Sequence, residues 1–224
     1  MVTEGARSVT IDLLVLGAFH PELAPLRAVL GDAMRAHLHG KDVAARVVGI
    51  GLPMAAAGAA MQLVELAPRA VVLVGTCGAY RGTGLAVGDV VAARRVRLVD
   101  SAVVDGRAQF PDPMSVTADV PTASVEALAK AGARVADVAT TLAITVDDAT
   151  ADRIARSTGT QAEHLEAYGV LAACAARGIP FAAALGVANV VGSRARDEWR
   201  AHHKRAAAAA VDVVLRMLAA VTAI

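Results

Sequence analysis

The chain has 224 residues, with 22 Lys and Arg against 21 Asp and Glu, so its formal net charge is +1. This length favours one domain, and a hydrophobic content of 56% excludes a disordered chain. The balanced charge and the aromatic content of 3% argue against nucleic-acid binding, which relies on basic patches and aromatic stacking platforms.

Short apolar runs alternate with longer alanine-rich stretches along the chain. The runs are continuous and often β-branched, which is typical of buried parallel strands. The predicted strands are 11–17, 42–51, 70–75, an exposed or edge strand pair within 85–100, 138–145 and 181–189. The predicted helices are 21–30, 53–67, 122–132, 162–178 and 193–218, with a long loop at 101–120. This alternation, without repeats or linkers, predicts a single α/β domain over 1–224, in three layers with a mixed, mostly parallel sheet.

The cysteines and the apolar ends of the chain indicate where the protein works. Cys77 and Cys174 have neither metal-ligand spacing nor a disulfide framework, so we expect a reducing cytoplasm and no bound metal. An acidic residue interrupts the apolar stretch 11–19, so a signal peptide is not expected. Asp212 and Arg216 interrupt the apolar C-terminal stretch, which argues against a membrane span and a membrane partner.

Polar side chains follow several of the predicted strands. Ligands of open α/β sheets bind outside the carboxyl ends of the strands, so these groups are expected to converge at one edge. The residues are His20, Glu22, Thr76, Thr145, Asp147, Asp148, His164, Glu166 and Asn189.

Four segments resemble the nucleoside phosphorylase/nucleosidase family, in that family's order. GAFHPEL at 17–23 is similar to the opening of bacterial nucleosidases that cleave methylthioadenosine and adenosylhomocysteine. VGTCGAYRGTGLAVGDVV at 74–91 resembles the signature of the wider family, and EHLEAYGVLAAC at 163–174 resembles its glutamate-containing helix. GVANVVGSRARDEW at 186–199 is similar to a segment of futalosine hydrolases.

The resemblance covers nearly the whole chain. It implies a nucleoside phosphorylase-like fold, cleavage of a ribosyl–base bond without a cofactor, and a homo-oligomer. The loop at 101–113 is the expected place of a contact with a neighbouring subunit.

Two carboxylates match functional positions of the family. The resemblance implies that Glu166 accepts hydrogen bonds from the ribose 2′- and 3′-hydroxyls, and that Glu22 activates the attacking water. Taken without the resemblance, each is also an ordinary acidic residue at a helix start.

Asn189 matches the family position that holds the base. Adenine-cleaving nucleosidases have an aspartic acid there, which donates a proton to N7. Asparagine cannot transfer a proton, but its amide can accept from a protonated N7 and donate to an oxygen at C6. The residue therefore favours a 6-oxopurine, including the hypoxanthine of futalosine, although an asparagine at a strand end can also simply cap a turn.

Other residues are expected to line the substrate site. They are Phe19, Thr76, Cys77, Gly78, Thr145, Val146, Leu165 and Arg194. Cys77 is expected to pack rather than to act as a nucleophile, because no histidine is paired with it in the sequence. The loop 145–150 lacks the aromatic residue that stacks on the purine in the family, since Ala149 and Thr150 stand there. Phe19 or Tyr168 is the expected replacement.

A basic and aromatic stretch follows Asn189. Arg194, Arg196 and Trp199 either meet a carboxylated group such as that of futalosine or simply open the last helix. Phosphorylases carry an arginine at the position of Leu73, and phosphate needs cationic partners, so water is the expected nucleophile.

The sequence thus favours a futalosine hydrolase-like enzyme that serves menaquinone synthesis. The alternatives are a methylthioadenosine/adenosylhomocysteine nucleosidase, a purine nucleoside phosphorylase, or a non-catalytic nucleoside-binding protein on the same fold. A dinucleotide-binding loop at Gly49 and Gly51 is disfavoured because Met54 replaces the third glycine.

Overall fold

The computed structural model describes residues 10–221, with the backbone alone at residue 221. Residues 1–9 and 222–224 lie outside this range, as do the parts of the domain and signal-peptide predictions that fall on them.

Strands and helices alternate along the described chain. The strands are β1 (Leu13–Gly17), β2 (Arg35–Leu38), β3 (Lys41–Val47), β4 (Ala70–Ala79), β5 (Val90–Leu98), β6 (Thr117–Asp119), β7 (Arg134–Thr140), β8 (Ala162–Glu163) and β9 (Phe181–Val190). The helices are α1 (His20–Leu23), α2 (Arg27–Leu30), α3 (Leu52–Leu66), α4 (Ser101–Val104), α5 (Thr122–Lys130), α6 (Asp148–Thr158), α7 (Ala167–Ala176) and α8 (Ala195–Val221), with a 3-10 turn at Ala24–Leu26.

All the strands belong to one mixed sheet. Its order is β2-β3-β1-β4-β8-β7-β5-β6, and β9 pairs with both β4 and β5. This double pairing closes β4, β9, β5, β7 and β8 into a ring. β1, β4 and β9 run parallel to one another, so their carboxyl ends meet at one edge.

The core lies between this sheet and the helices that flank it. β4 and β9 are buried along nearly their whole length, because both of their faces are covered. α8 packs along β9 and β4, and α3 packs on α7. The mixed, mostly parallel sheet between helices is therefore confirmed.

The strand pair predicted within 85–100 is wrong. The segment forms one strand, β5, which lies inside the sheet between β7 and β9 and also pairs with β6. Its exposed arginines, Arg94 and Arg95, form ion pairs with Asp137 and Asp119. Because these polar residues are typical of an exposed strand, the sequence predicted an exposed or edge position.

Two predicted boundaries near the site are also wrong. The strand predicted at 138–145 is β7, which ends at Thr140, because the apolar side chains Leu142 and Ile144 are exposed rather than part of the core. The helix predicted at 162–178 begins only at Ala167, since Glu163 belongs to the two-residue strand β8. The first error hid an irregular segment, 141–147, and the second hid β8 and the turn at 164–166, all of which border the site.

Other elements were missed or merged. The predicted helix 21–30 is broken into α1, the 3-10 turn and α2, while the predicted loop 101–120 contains α4 and β6. α6 carries an N-cap signal that could have revealed it, since the Asp147 side chain accepts from the Thr150 N–H at 2.7 Å. Nothing in the polar sequence of β2 indicates its pairing with β3.

Candidate active site

A cavity of about 440 Å³ opens where the carboxyl ends of β1, β4 and β9 meet. This volume is in the range of small-molecule sites. The cavity is lined by Ala18, Phe19, Glu22, Ile50, Thr76, Cys77, Gly78, Ile144, Thr145, Val146, Glu163, His164, Leu165, Glu166, Asn189, Val191, Ala195, Arg196 and Trp199. The carboxyl edge predicted from the order of strands and helices is thus the edge that holds the cavity.

Glu22 is a carboxylate buried in the cavity wall, with 4% of the residue exposed. One oxygen accepts from the Ala18 N–H at 3.0 Å, and the other accepts from the Thr76 N–H at 2.9 Å and the Thr76 hydroxyl at 3.2 Å. Burial raises the pKa of Glu22 to about 7, against the lowering effect of these bonds, and nearby Glu166 adds to the rise. A base of this pKa exchanges protons readily near neutral pH.

A short hydrogen-bond chain leads from α8 to Glu22. The Trp199 indole N–H donates to the Thr76 hydroxyl oxygen at 3.0 Å, and that hydroxyl donates to Glu22. Since an indole N–H can only donate, the direction of the chain is fixed and the Thr76 hydrogen is committed to the carboxylate.

Glu166 stands at the N-terminal end of α7 and is 5% exposed. Its Oε1 accepts from the Gly51 N–H at 2.7 Å, so the turn before α3 holds this carboxylate in place. That bond joins residues 115 positions apart, which is why sequence patterns gave no sign of it. The remaining lone pairs are free to accept from a bound molecule.

A β-bulge aims Asn189 at the cavity. β4 and β9 keep register up to Cys77 opposite Val187, and then Gly78 lies opposite Asn189, so one residue of β9 is skipped. A Cβ at position 78 would stand only 2.8 Å from the Asn189 Nδ2. The close approach of the Asn189 side chain to β4 therefore depends on the glycine at this position. One amide hydrogen of Asn189 goes to the Val190 carbonyl at 3.1 Å.

Glu163 anchors the irregular segment 141–147 to the sheet. Its carboxylate accepts from the Thr145 N–H at 3.0 Å, the Thr145 hydroxyl at 2.6 Å and the Tyr80 hydroxyl at 2.9 Å. Burial raises the pKa of Glu163, while these three bonds oppose the rise. The segment therefore owes its position beside the cavity to one buried side chain.

A second anchor holds the loop between β9 and α8. Asp148 accepts from the Ser193 N–H at 2.8 Å and pairs with Arg81 at 2.7 Å, and these partners lower its pKa to about 2. The loop carries Asn189 at one end and leads to Trp199 at the other.

The aromatic wall of the cavity consists of Phe19 and Trp199, whose ring centroids lie 6.4 Å apart. Trp199 also stacks on His203 at 4.3 Å. Tyr168, the other predicted stacking residue, is not in the wall, because its hydroxyl donates to the Ser115 carbonyl.

Cys77 has the environment of a packing residue. Burial raises the pKa of its thiol to about 12, and the thiol faces the Leu185 carbonyl at 3.7 Å. The described residues contain no cluster of His, Cys, Asp and Glu suited to a metal ion. No helix within 10–221 is long and apolar enough to span a membrane.

Comparison with known proteins identifies the family. The family model of the Phosphorylase superfamily matches residues 16–222. The chain belongs to the Phosphorylase superfamily. A 5′-methylthioadenosine/S-adenosylhomocysteine nucleosidase of Chromohalobacter salexigens is 30% identical over 203 residues, which are 85% of each chain.

Solved structures of the superfamily share the fold. A nucleosidase of the same name from Colwellia psychrerythraea, in complex with adenine, has a TM-score of 0.82 at 23% identity, over 93% of this chain and 95% of that chain. Futalosine hydrolase of Helicobacter pylori has a TM-score of 0.82 at 15% identity, over 95% and 98%.

Among the residues expected at this edge or against the base, His20, Asp147, Asp148 and Tyr168 do not line the cavity. The residues expected to act on the substrate or to line its site are all in the cavity wall, with one exception. The exception is Arg194, whose exposed guanidinium lies 3.5 Å from Glu198. Arg196, two residues later, lines the cavity instead. Several residues of the cavity wall had no expected role, among them Ile50, Ile144 and Glu163. Ile50 and Ile144 are apolar, and Glu163 belongs to a stretch that was predicted as helix and forms β8.

Proposed function

We propose that the protein hydrolyses the N-glycosidic bond of a 6-oxopurine nucleoside that carries an anionic or aromatic 5′ substituent, as futalosine does. The chain is a nucleosidase of the Phosphorylase superfamily, so the bond that breaks joins a ribosyl carbon to a base nitrogen. The observation that carries the proposal is the shared cavity of Glu22, Glu166 and Asn189.

The reaction needs a nucleophile and stabilisation of a cationic sugar. As the C1′–N9 bond lengthens, positive charge develops on the ribose, and Glu22 removes a proton from the water that attacks C1′. Glu166 holds the ribose hydroxyls through the lone pairs that Gly51 leaves unused. Two buried carboxylates also favour the oxocarbenium-like transition state electrostatically.

Asn189 supports the choice of base. Its amide carries both an acceptor and a donor, which match a protonated N7 and the oxygen at C6 of hypoxanthine or guanine. Adenine presents an amino group at C6 and needs an acid at N7. The asparagine amide can accept from that amino group, but it has no proton to transfer to N7. This residue separates the proposal from the methylthioadenosine/S-adenosylhomocysteine nucleosidase reading, which the 30% identical relative favours.

Two further wall residues support the 5′ substituent. Arg196 is the only Lys or Arg among the described residues that line the cavity, and the ring of Trp199 lines it too. A guanidinium and an aromatic face suit a carboxylated aromatic group. A single cation, in a cavity that also holds the carboxylates of Glu22 and Glu166, is a poor site for phosphate, which disfavours phosphorolysis.

The test is base release, measured by chromatography, from futalosine, inosine, adenosine and methylthioadenosine, with and without phosphate. We expect phosphate-independent release, fastest from futalosine. Release from methylthioadenosine at a higher kcat/KM would replace the 6-oxopurine with adenine, and release only with phosphate would indicate a phosphorylase. Tight binding of a nucleoside without turnover would indicate a binding protein.

We also propose that the protein is a cytoplasmic homo-oligomer, as the family resemblance implies.

A further inference from the structure

His164 is a buried histidine in the cavity wall that the proposed reaction has not used. It lies between β8 and α7, is 3% exposed, and lines the same cavity as Glu22. A buried polar ring beside a reaction centre needs hydrogen-bond partners for both nitrogens.

The backbone determines which nitrogen carries the proton. Nδ1 accepts from the Glu166 N–H at 3.2 Å and from the Ala167 N–H at 3.1 Å. A ring nitrogen that accepts has no hydrogen of its own, so in the neutral ring the hydrogen is on Nε2. Nδ1 also lies 3.3 Å from a Glu166 oxygen, but its lone pair is already committed to the two N–H groups, so this contact is not an ion pair.

The ring is neutral because burial lowers the pKa of His164, an effect larger than the opposing charge of Glu166. Nε2–H is therefore an uncharged donor. A cationic imidazolium here would stabilise the Glu22 carboxylate and weaken it as a base, whereas a neutral donor leaves its raised pKa intact.

Gly75 of β4 shows where Nε2 points. A Cβ built on Gly75 would lie 3.0 Å from Glu22 Oε1 and 3.1 Å from His164 Nε2. Both side chains therefore come close to the backbone of β4 at Gly75, where a Cβ would crowd them, and both line the cavity. A water molecule in the cavity beside Oε1 and Nε2 would be within hydrogen-bond reach of both side chains.

We propose that His164 is a further catalytic residue, whose Nε2–H donates to the oxygen of the water that Glu22 deprotonates. This inference rests on the proposed hydrolysis. The water gives one hydrogen to Glu22, its oxygen forms the bond to C1′, and the C1′–N9 bond breaks with its electron pair going to the base. His164 gains and loses no proton, and it orients the attacking oxygen.

Two substitutions separate the two nitrogens of the ring. In His164→Asn, the amide oxygen can take the place of Nδ1 and keep the bonds to the Glu166 and Ala167 N–H groups, but the donor at Nε2 is lost. In His164→Gln, the longer amide can place an N–H near the Nε2 position, but the acceptor for the backbone is lost.

We expect opposite effects on catalysis and stability. His164→Asn should lower kcat by about 100-fold, because the attacking oxygen loses the donor that orients it, with KM and melting temperature close to wild type. His164→Gln should keep kcat within about 10-fold of wild type and melt at a lower temperature. Wild-type kcat in His164→Asn, or a loss of kcat in both variants that follows the loss of melting temperature, would overturn the assignment.

Product partition gives an independent readout. In dilute methanol, methanol competes with water for the oxocarbenium-like sugar, and we expect His164→Asn to raise the ratio of methyl riboside to free sugar above the wild-type ratio. An unchanged ratio would contradict a water site at His164. If the wild type releases no base from any nucleoside, the proposed function and this inference both fail, whereas active wild type with an equally active His164→Asn removes the inference alone.

Discussion

Glu22 is a carboxylate placed where its ionised form is costly. Burial raises its pKa to about 7 from 4.5, even though three hydrogen bonds favour the charged form. The folded protein therefore holds a proton on Glu22 between pH 4.5 and 7, where the unfolded chain has already lost it.

This difference in proton binding should make the free energy of unfolding depend on pH. Because the folded state binds the extra proton in that window, the free energy of unfolding falls as the pH rises from 4.5 to 7, by up to about 3 kcal/mol. Glu22→Gln removes the titrating group, so the free energy of unfolding of the variant should rise relative to that of the wild type between pH 5 and pH 8. Urea unfolding of both proteins at the two pH values checks this, and parallel pH profiles would contradict it.

Asn189 should determine the preference between bases. Asn189→Asp supplies a carboxyl group that can protonate N7 and accept from a 6-amino group. We expect the ratio of kcat/KM for adenosine to that for inosine to rise about 100-fold. Asn189→Ala is the control, because it should slow both substrates without reversing their order; an unchanged ratio in Asn189→Asp would remove Asn189 from base recognition.

The position of the segment 141–147 depends on Glu163. In Glu163→Ala the hydroxyls of Tyr80 and Thr145 lose their acceptor inside the protein, and unpaired buried groups cost about 1–3 kcal/mol each. We expect a loss of about 2–6 kcal/mol in the free energy of unfolding and faster amide hydrogen exchange at 141–147.

The matched control for Glu163 is Tyr80→Phe, which removes one donor and leaves Thr145 bound. It should cost only about 1 kcal/mol and leave exchange in the segment unchanged. Equal exchange in Glu163→Ala and wild type would mean that other contacts hold the segment.

The long buried elements were predictable from sequence and the short ones were not. β4 and β9 show apolar runs that match their burial, so local pattern and tertiary position agree. β8 has two residues and exists only through its pairs with β4 and β7, which no local pattern encodes. The exposed apolar residues of 141–147 misled the pattern because they serve the cavity rather than the core.

The site was likewise predictable only in part. Glu22, Glu166 and Asn189 could be named because motifs mark their positions, and the parallel strands predicted their common edge. The contacts that hold each of these side chains in place could not be predicted. Gly51 reaches Glu166, Trp199 reaches Thr76 and the bulge redirects Asn189 only through contacts between distant parts of the chain.

Several apolar side chains on one side of α3 remain exposed. Met54, Met61 and Val64 lie within about 80° of one another around α3 and are more than half exposed. Ile50, which precedes α3 by two residues, and Ile144 are also exposed and line the cavity. Exposed apolar surface of this kind is typical of an interface.

We therefore expect a second copy of the chain to cover this surface. Met61→Glu combined with Val64→Glu should convert the oligomer to a monomer in sedimentation velocity and raise KM, because the cavity mouth loses its cover. Val29→Glu on α2 is a control of the same chemistry outside this surface. A monomeric wild type would contradict the expectation. A wild-type oligomer that both variants leave intact would move the interface elsewhere, for example to the predicted contact at 101–113.

In the proposed reaction, Glu22 activates water to cleave a 6-oxopurine nucleoside. The most direct measurement is the initial rate of hypoxanthine release from futalosine in phosphate-free buffer, for the wild type and for Glu22→Gln. We expect release by the wild type and a rate at least about 100-fold lower in the variant, with nucleoside binding retained. Equal rates in the two proteins, or no release without phosphate, would contradict it.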